Sequence, residues 1–484
     1  MDRNLTALKP ALVWKHFAEI VRIPRPSHHE EQIRRYILDF ARAKGLECRE
    51  DEAHNVYVRK PASKGMEGRK GVILQAHLDM VPQKNNDKVF DFEKDPIDAY
   101  IDGGWVTADG TTLGADNGIG VASILAVLED DTLVHGPLEA LFTATEETGM
   151  DGAFGLKAGL LQGDILLNLD SETEGELYVG CAGGLDVNIA FPYQSVPTPD
   201  DGRVAAHITV RGLKGGHSGI QIVCQRANAN KLLFRFLNTR PELSLCSVDG
   251  GGLRNAIPRE AFATVAVMKK HEKAFQNAVK KFEKIYIDEY KGIEDGISFK
   301  AVPVKTPSKA INFFDQANLV DAVFGCPNGV MRMSTSMPGL VQTSSNLARV
   351  VSERGYFKIM CLLRSSVNTE KDDLALMIRT VFELTGATVR TSGAYDGWNP
   401  NMDSPILRAM KAGYKELFGK EPAVMAIHAG LECGIIGGKY PDMDMISCGP
   451  TIKYPHSPDE KVNIASVEKF WKFLCHTLET IPVK

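Results

Sequence analysis

The stretch GVILQAHLDMVPQKNND, Gly71 to Asp87, constrains this chain most, because it carries an apolar run straight into an imidazole and a carboxylate. Gly71 to Ala76 lies between a basic loop and Pro82, the pattern of a strand covered on both faces in an α/β protein. Side chains alternate along a strand, so His77 and Asp79 point the same way. A metal-bound histidine commonly has its second ring nitrogen held by a carboxylate, and Asp79 is placed either for that or for the metal shell itself. Taken alone, such a pair is more often a polar strand end satisfied by backbone and water. It needs partners elsewhere in the chain.

At 484 residues the chain exceeds what one core usually supports, so two domains are expected. Its 61 acids outnumber 56 bases and no basic run is long enough to track phosphates, which argues against a nucleic-acid partner. The start, MDRNLTALKPALVWKHF, lacks a signal-peptide pattern, and no apolar run reaches membrane-spanning length, so no membrane partner is expected. Nine cysteines without a CxxC pair suit a reducing cytoplasm. Any metal then sits on histidine and carboxylate.

The pattern predicts a helix over Ala11 to Val21, ended by Pro24 and Pro26, and a second that opens on a Ser27/Glu30 capping box and runs to Lys44. On these amphipathic helices His16, His28 and His29 read as surface or packing residues. Strands are expected near Glu47 and over Asn55 to Arg59, and Val81 to Asp109 reads as an irregular excursion. Gly114 to Gly120 is a glycine-rich turn feeding an apolar helix, Ile119 to Leu128, with Asp116 just before it. Small neighbours there would let metal approach closely; a phosphate reading lacks both a Walker lysine and a GxGxxG fingerprint. The strand Leu138 to Ala144 ends in the adjacent acids Glu146 and Glu147, and the strand Asp164 to Leu169 ends at Asp170. An adjacent acid pair is usually solvated surface. Recurrence of such groups at successive strand or turn ends is coherent, because open α/β sheets gather ligands beyond the carboxyl ends of their strands.

HLDMVPQ, LGADNGIG, TEETGMDGAFGL, NLDSETEG, KGGHSG, LRNAIPREAFATVAV, HAGLECG and GPTIKYPHSPDE, in this order and spacing, resemble the cytosolic co-catalytic di-zinc dipeptidases over nearly the whole chain. The resemblance implies two zinc ions per chain, with cobalt or manganese as substitutes. His77 and Asp170 would hold one, Glu147 and His456 the other, and Asp116 would bridge them, a nitrogen and oxygen environment that zinc accepts. It also implies Glu146 as general base, Asp79 as the group orienting His77, and a cis peptide between Asp116 and Asn117. Its substrates would be unblocked dipeptides of broad specificity, Xaa-His included.

The implied fold class is α/β: a catalytic domain with a mixed central sheet flanked by helices, residues 1–184 and 398–484, interrupted by an α+β lid domain of two related halves, residues 185–397. By the same resemblance His217 contacts the tetrahedral intermediate, while Asn346 and Arg364 bind the substrate's terminal carboxylate; Asn255 follows the same repeat pattern as Asn346, which leaves that choice open. His217 also reads as a solvated turn residue and Arg364 as a structural ion pair. Glu432 is placed to meet a substrate amino group or simply to open a helix. The doubled lid favours one chain completing its own site, and the resemblance implies a homodimer. An N-acyl amino acid deacylase or a carboxypeptidase on the same frame, or an inactive peptide carrier, are the alternatives; a carrier has no use for Glu146.

Overall fold

The computed structural model describes residues 2–484, which divide into two compact units. The first comprises residues 2–180, 400–426 and 431–484, and the second residues 181–399 and 427–430.

In the first unit, helices α1 (Ala11–Ile20), α2 (Glu31–Ala43), α3 (Ala115–Glu129) and α4 (Glu146–Gly149) accompany strands β1 (Glu47–Glu50), β2 (Val56–Lys60), β3 (Val72–His77), β4 (Ala99–Asp102), β5 (Trp105–Ala108), β6 (Leu138–Thr143), β7 (Ile165–Asn168) and β8 (Glu176–Cys181). The main sheet runs β1-β2-β6-β3-β7, then Asp444–Ser447, β8 and Ala423–Ile427. β6, β3, β7 and Asp444–Ser447 are parallel neighbours, whereas β1, β2 and β8 pair antiparallel, so the sheet is mixed. Every residue of β3 is buried, as its unbroken apolar run requires. Parallel pairing brings the carboxyl ends of β6, β3 and β7 side by side, and their following turns open at one edge.

Two local expectations are corrected. The Ser27/Glu30 pair does not cap α2: the Ser27 hydroxyl donates to Asp79 Oδ2 at 2.8 Å, and Glu30 Oε1 accepts from the Thr145 N–H and hydroxyl, so tertiary partners outcompete the local cap. The segment from Val81 to Asp109 is not wholly irregular. β4 and β5 form a hairpin about Asp102, Gly103 and Gly104, and β5 pairs with Lys461–Asn463, which pairs with Ile452–Lys453. That small sheet frames the loop carrying His456.

The second unit is built around a nine-stranded sheet whose neighbours pair antiparallel. One half runs strand Arg203–Arg211, helix Ala229–Asn238, strands Ser244–Gly251 and Ala261–Met268, helix Glu272–Glu289, strand Ser298–Val304. The other repeats the order with Gly183–Pro192, Phe313–Gly325, Val341–Ser352, Tyr356–Ser365, Asn368–Glu383 and Thr388–Tyr395. Each half is a βαββαβ unit with its first strand inside and its last at the sheet's edge. The second strands of the halves pair antiparallel at Asp249–Val351 and Gly250–Val350, joining the halves into one sheet. The first half is therefore inserted after the opening strand of the second. Leu185, Val187, Ile189 and Phe191 alternate into one core, as expected of a sheet covered on one face.

His16 is a packing residue. It is buried on α1 with Nε2 2.8 Å from Glu129 Oε2, and Glu129 also accepts from Lys15 and Lys44. Burial lowers the His16 pKa to about 4 from 6.5. Burial would raise Glu129, but Lys15 and Lys44 outweigh it and bring it to about 2 from 4.5. Both shifts are downward, so their stabilisation is complete above pH 6.5 and is lost as pH falls towards 4 and then 2. Thermal melts between pH 7 and pH 4 are expected to show a falling Tm, with a smaller loss in His16→Gln; an identical acid limb in both proteins would contradict this.

Candidate active site

The end of β3, the turns after β6 and β7, the kinked first turn of α3 and the loop after Ile452–Lys453 bring one cluster together. His77 is 1% exposed. Its Nε2 lies 3.0 Å from Asp116 Oδ1 and 3.3 Å from Asp170 Oδ1, and its Nδ1 faces Asp79 Oδ1 at 3.3 Å. On the other side His456 Nε2 lies 3.1 Å from Asp116 Oδ2 and 3.0 Å from Glu147 Oε2. One oxygen of Asp116 thus faces each histidine. The ligand atoms of His77, Asp116 and Asp170, and those of Asp116, Glu147 and His456, each lie within 4.8 Å of one another. Nitrogen and oxygen donors converging this closely fit a metal of zinc's preferences. Glu147 Oε1 is buried without a hydrogen-bond partner among the described residues.

Asp79 organises the opposite side. Besides Ser27 it accepts the Glu146 N–H at 2.9 Å and the Glu147 N–H at 3.1 Å, so it holds the amino end of α4 and aims both glutamates. Burial would raise its pKa, but the His77 ring 3.3 Å away and hydrogen bonds from Ser27 and the Glu146 amide bring it to about 2. Asp79 is therefore an anion throughout the neutral range.

The remaining acids feel crowding. Burial pushes Glu146 well above the ordinary carboxylate range, with Asp170, Glu432 and Glu147 adding to it and His77 opposing. Burial likewise raises Asp170 to about 6. Burial would lower His77, but Asp170, Asp116 and Asp79 outweigh it and raise the ring well above the ordinary imidazole range. Hydrogen bonds to Asp116 and Glu147 raise His456 to about 11.

The sequence reading did not single out Arg25 or Glu460, and it named Asn117 only for the cis peptide expected before it, which the structure has. The Asn117 amide donates to Asp170 Oδ1. Arg25 is 1% exposed and donates to the carbonyls of Leu78, Asp79 and Gly114. Glu460 accepts the N–H groups of Leu113, Gly114 and Asp116. The glycines of LGADNGIG were expected to make room for metal; instead a Cβ on Gly114 or Gly118 would stand 2.6 Å from Arg25 Nη2, so they make room for the guanidinium. Gly114 also has φ of 71°, which glycine adopts freely. Only the arginine within IPRPS signalled this in the sequence.

Glu432 is 1% exposed, and its Oε2 accepts from Gln75 Nε2 at 2.6 Å and Thr143 Oγ1 at 2.8 Å. Of the two readings left open for Glu432 these bonds favour the structural one, tying the helix Glu432–Lys439 to β3 and β6.

In the second unit, His217 Nδ1 accepts from the Gly219 and Ile220 N–H groups at 3.2 and 3.1 Å, which fixes the ring. A Cβ on Gly219 would stand 3.0 Å from His217 Cε1 and 3.1 Å from Arg364 Nε, so the two functional groups are neighbours. Arg364 is 6% exposed; its Nη1 donates to the Tyr395 hydroxyl at 3.3 Å, while Nε has no partner among the described residues. Asn346 spends its amide hydrogens on the carbonyls of Arg254 and Ala256, at 3.0 and 2.9 Å. It is left with no donor for a carboxylate, which corrects its expected role. It braces the turn that presents the exposed Asn255.

The chain belongs to peptidase family M20/M25/M40, whose model matches residues 73–480. It is 48% identical to the cytosol non-specific dipeptidase of Escherichia coli (strain K12) over a 486-residue alignment, covering 99% of this chain and 100% of that one. Among solved structures, the aminoacylhistidine dipeptidase from Vibrio alginolyticus matches at 48% identity with a TM-score of 0.96, covering 99% of each chain. Aminopeptidase PepT from Bacillus cereus ATCC 10987, at 16% identity and a TM-score of 0.58, covers 98% of this chain and 99% of its own and shares the fold.

An imidazole must be neutral to bind metal, so a metal taken up by His77 and His456 at pH 7 should expel protons. Calorimetric titration with a zinc salt in buffers of different ionisation enthalpy reads this directly. A buffer-independent heat would contradict the protonation states of His77 and His456.

Proposed function

We propose that this chain is a metal-dependent dipeptidase that hydrolyses unblocked dipeptides of broad specificity, Xaa-His included, using two zinc ions per chain for which cobalt or manganese substitute. The observation that carries the reading is the division of Asp116, with Oδ1 3.0 Å from His77 Nε2 and Oδ2 3.1 Å from His456 Nε2. In this reading His77, Asp170 and Asp116 would hold one ion, and Glu147, His456 and Asp116 the other. The printed names of the two relatives at 48% identity support the substrate class. A cytoplasmic location is in keeping with the first relative's name and with nine cysteines outside any disulfide. No helix among the described residues is long and apolar enough to cross a membrane. A homodimer is the assembly that the resemblance implies.

When bound, the ions acidify a water and polarise the scissile carbonyl. Glu146 accepts the proton that the attacking water loses and delivers it to the departing amine nitrogen as the C–N bond breaks. Asp79 serves by posture: its grip on the Glu146 and Glu147 amides holds the base and a ligand in register. His77 keeps its Nε2 towards the ions because Nδ1 faces the same Asp79. In the second unit, His217 and Arg364 offer donors suited to a developing oxyanion and a terminal carboxylate, respectively.

Glu146→Gln is expected to lower kcat on an Ala-His dipeptide by about 10²- to 10⁴-fold with metal content unchanged. Tripeptides and N-acetylated amino acids should be poor substrates of the wild type. Equal rates in the two proteins would remove Glu146 from the mechanism, and preferential cleavage of N-acetylated amino acids would make the chain a deacylase.

A further inference from the structure

Two fully buried charges, Arg25 and Glu460, grip opposite polarities of one short turn. Arg25 Nη1 donates to Leu78 O and Asp79 O, each at 2.8 Å, and Nη2 donates to Gly114 O. Glu460 is 1% exposed; its Oε2 accepts from Leu113 N at 2.8 Å and Gly114 N at 2.9 Å, and Oε1 accepts from Asp116 N at 3.1 Å. We propose that Arg25 and Glu460 are positioning residues that clamp the Leu113–Asp116 turn between them, fixing the Asp116 carboxylate and coupling the two halves of the site. This rests on Asp116 being the bridging ligand.

The clamp reaches each ligand-bearing segment it needs. Through Leu78 and Asp79, Arg25 fixes the chain immediately after His77. Its own carbonyl accepts the Met80 N–H at 3.1 Å, so the contact with this turn is reciprocal. Glu460 lies four residues after His456, and its N–H donates to Ser457 O at 3.0 Å, so it ties that loop to the Asp116 turn. Movement of any one segment is thereby transmitted to Asp116.

A purely structural turn has less costly solutions. Burying a guanidinium and a carboxylate incurs a large desolvation penalty unless their hydrogen bonds are satisfied. Here all six side-chain bonds are to backbone outside the residues' own loops, and four of them hold the Leu113–Asp116 turn. Gly114 and Gly118 have no side chain where a Cβ would meet Arg25 Nη2 at 2.6 Å, so the sequence preserves the guanidinium's place at two positions. A bridging carboxylate has to satisfy two ions at once, so small rotations of it degrade both sites together.

The test is metal binding by Glu460→Gln and Gly118→Ala, using zinc competed against a chromophoric chelator. Glu460→Gln turns an amide NH₂ against one of three backbone donors; Gly118→Ala removes no ionisable group and displaces the Arg25 guanidinium. Each is expected to raise the zinc dissociation constant about 10- to 100-fold and to lower kcat with KM little changed. A merely structural role would lower Tm in stripped protein and leave zinc affinity at its wild-type value. If Glu460→Gln does not fold, Gly118→Ala decides. Wild-type zinc affinity in a folded Gly118→Ala protein overturns the clamp. Failure of wild type itself to bind zinc would instead overturn the proposed function on which the clamp rests.

Discussion

A carboxylate has two oxygens, and in this chain those of Asp116 face different imidazoles from segments 379 residues apart in number, His77 and His456. Around it Asp79, Glu146, Glu147 and Asp170 are packed into the same low-dielectric space, where like charges repel strongly. Such a concentration of buried acids is tolerable only with positive charge among them. Divalent cations would supply it. The arrangement of the first unit follows: parallel strands ending at one edge, a turn held by Arg25 and Glu460, and a small four-stranded sheet that returns the late segment to this point.

Much of that was readable. Apolar runs ending in His77, Glu146 and Asp170 announce strand ends, and the alternation of side chains places His77 with Asp79. The glycines before α3 mark a tight turn. What they accommodate was not readable, because Arg25 lies 89 positions before Gly114 and its hydrogen bonds are to backbone carbonyls, which leave no side-chain signature. Ser27 and Glu30 show the same limit. Their spacing is that of a helix cap, but Asp79 and Thr145 offer stronger tertiary partners. The β4–β5 hairpin was missed for a related reason: its short strands are stabilised by Lys461–Asn463, more than 350 positions on.

The second unit shows what local pattern gives and what it withholds. Its helices over Ala229–Asn238, Glu272–Glu289 and Asn368–Glu383 follow amphipathic stretches. Duplication was visible as a recurring order, but the insertion was not. Gly183–Pro192 is the opening strand of one half, and it pairs with Tyr356–Ser365 across more than 160 residues that include the whole of the other half. The same geometry separates the residues read as carboxylate binders: Asn346 is buried with its donors used, whereas Arg364 keeps a buried N–H without a partner among the described residues.

The central claim is that one aspartate is shared between two cations. Anomalous diffraction from crystals grown with zinc, recorded above and below the zinc edge, tests it most directly. The account predicts two peaks with Asp116 between them, His77 and Asp170 on one and Glu147 and His456 on the other. A single peak, or two peaks neither of which touches Asp116, would contradict it.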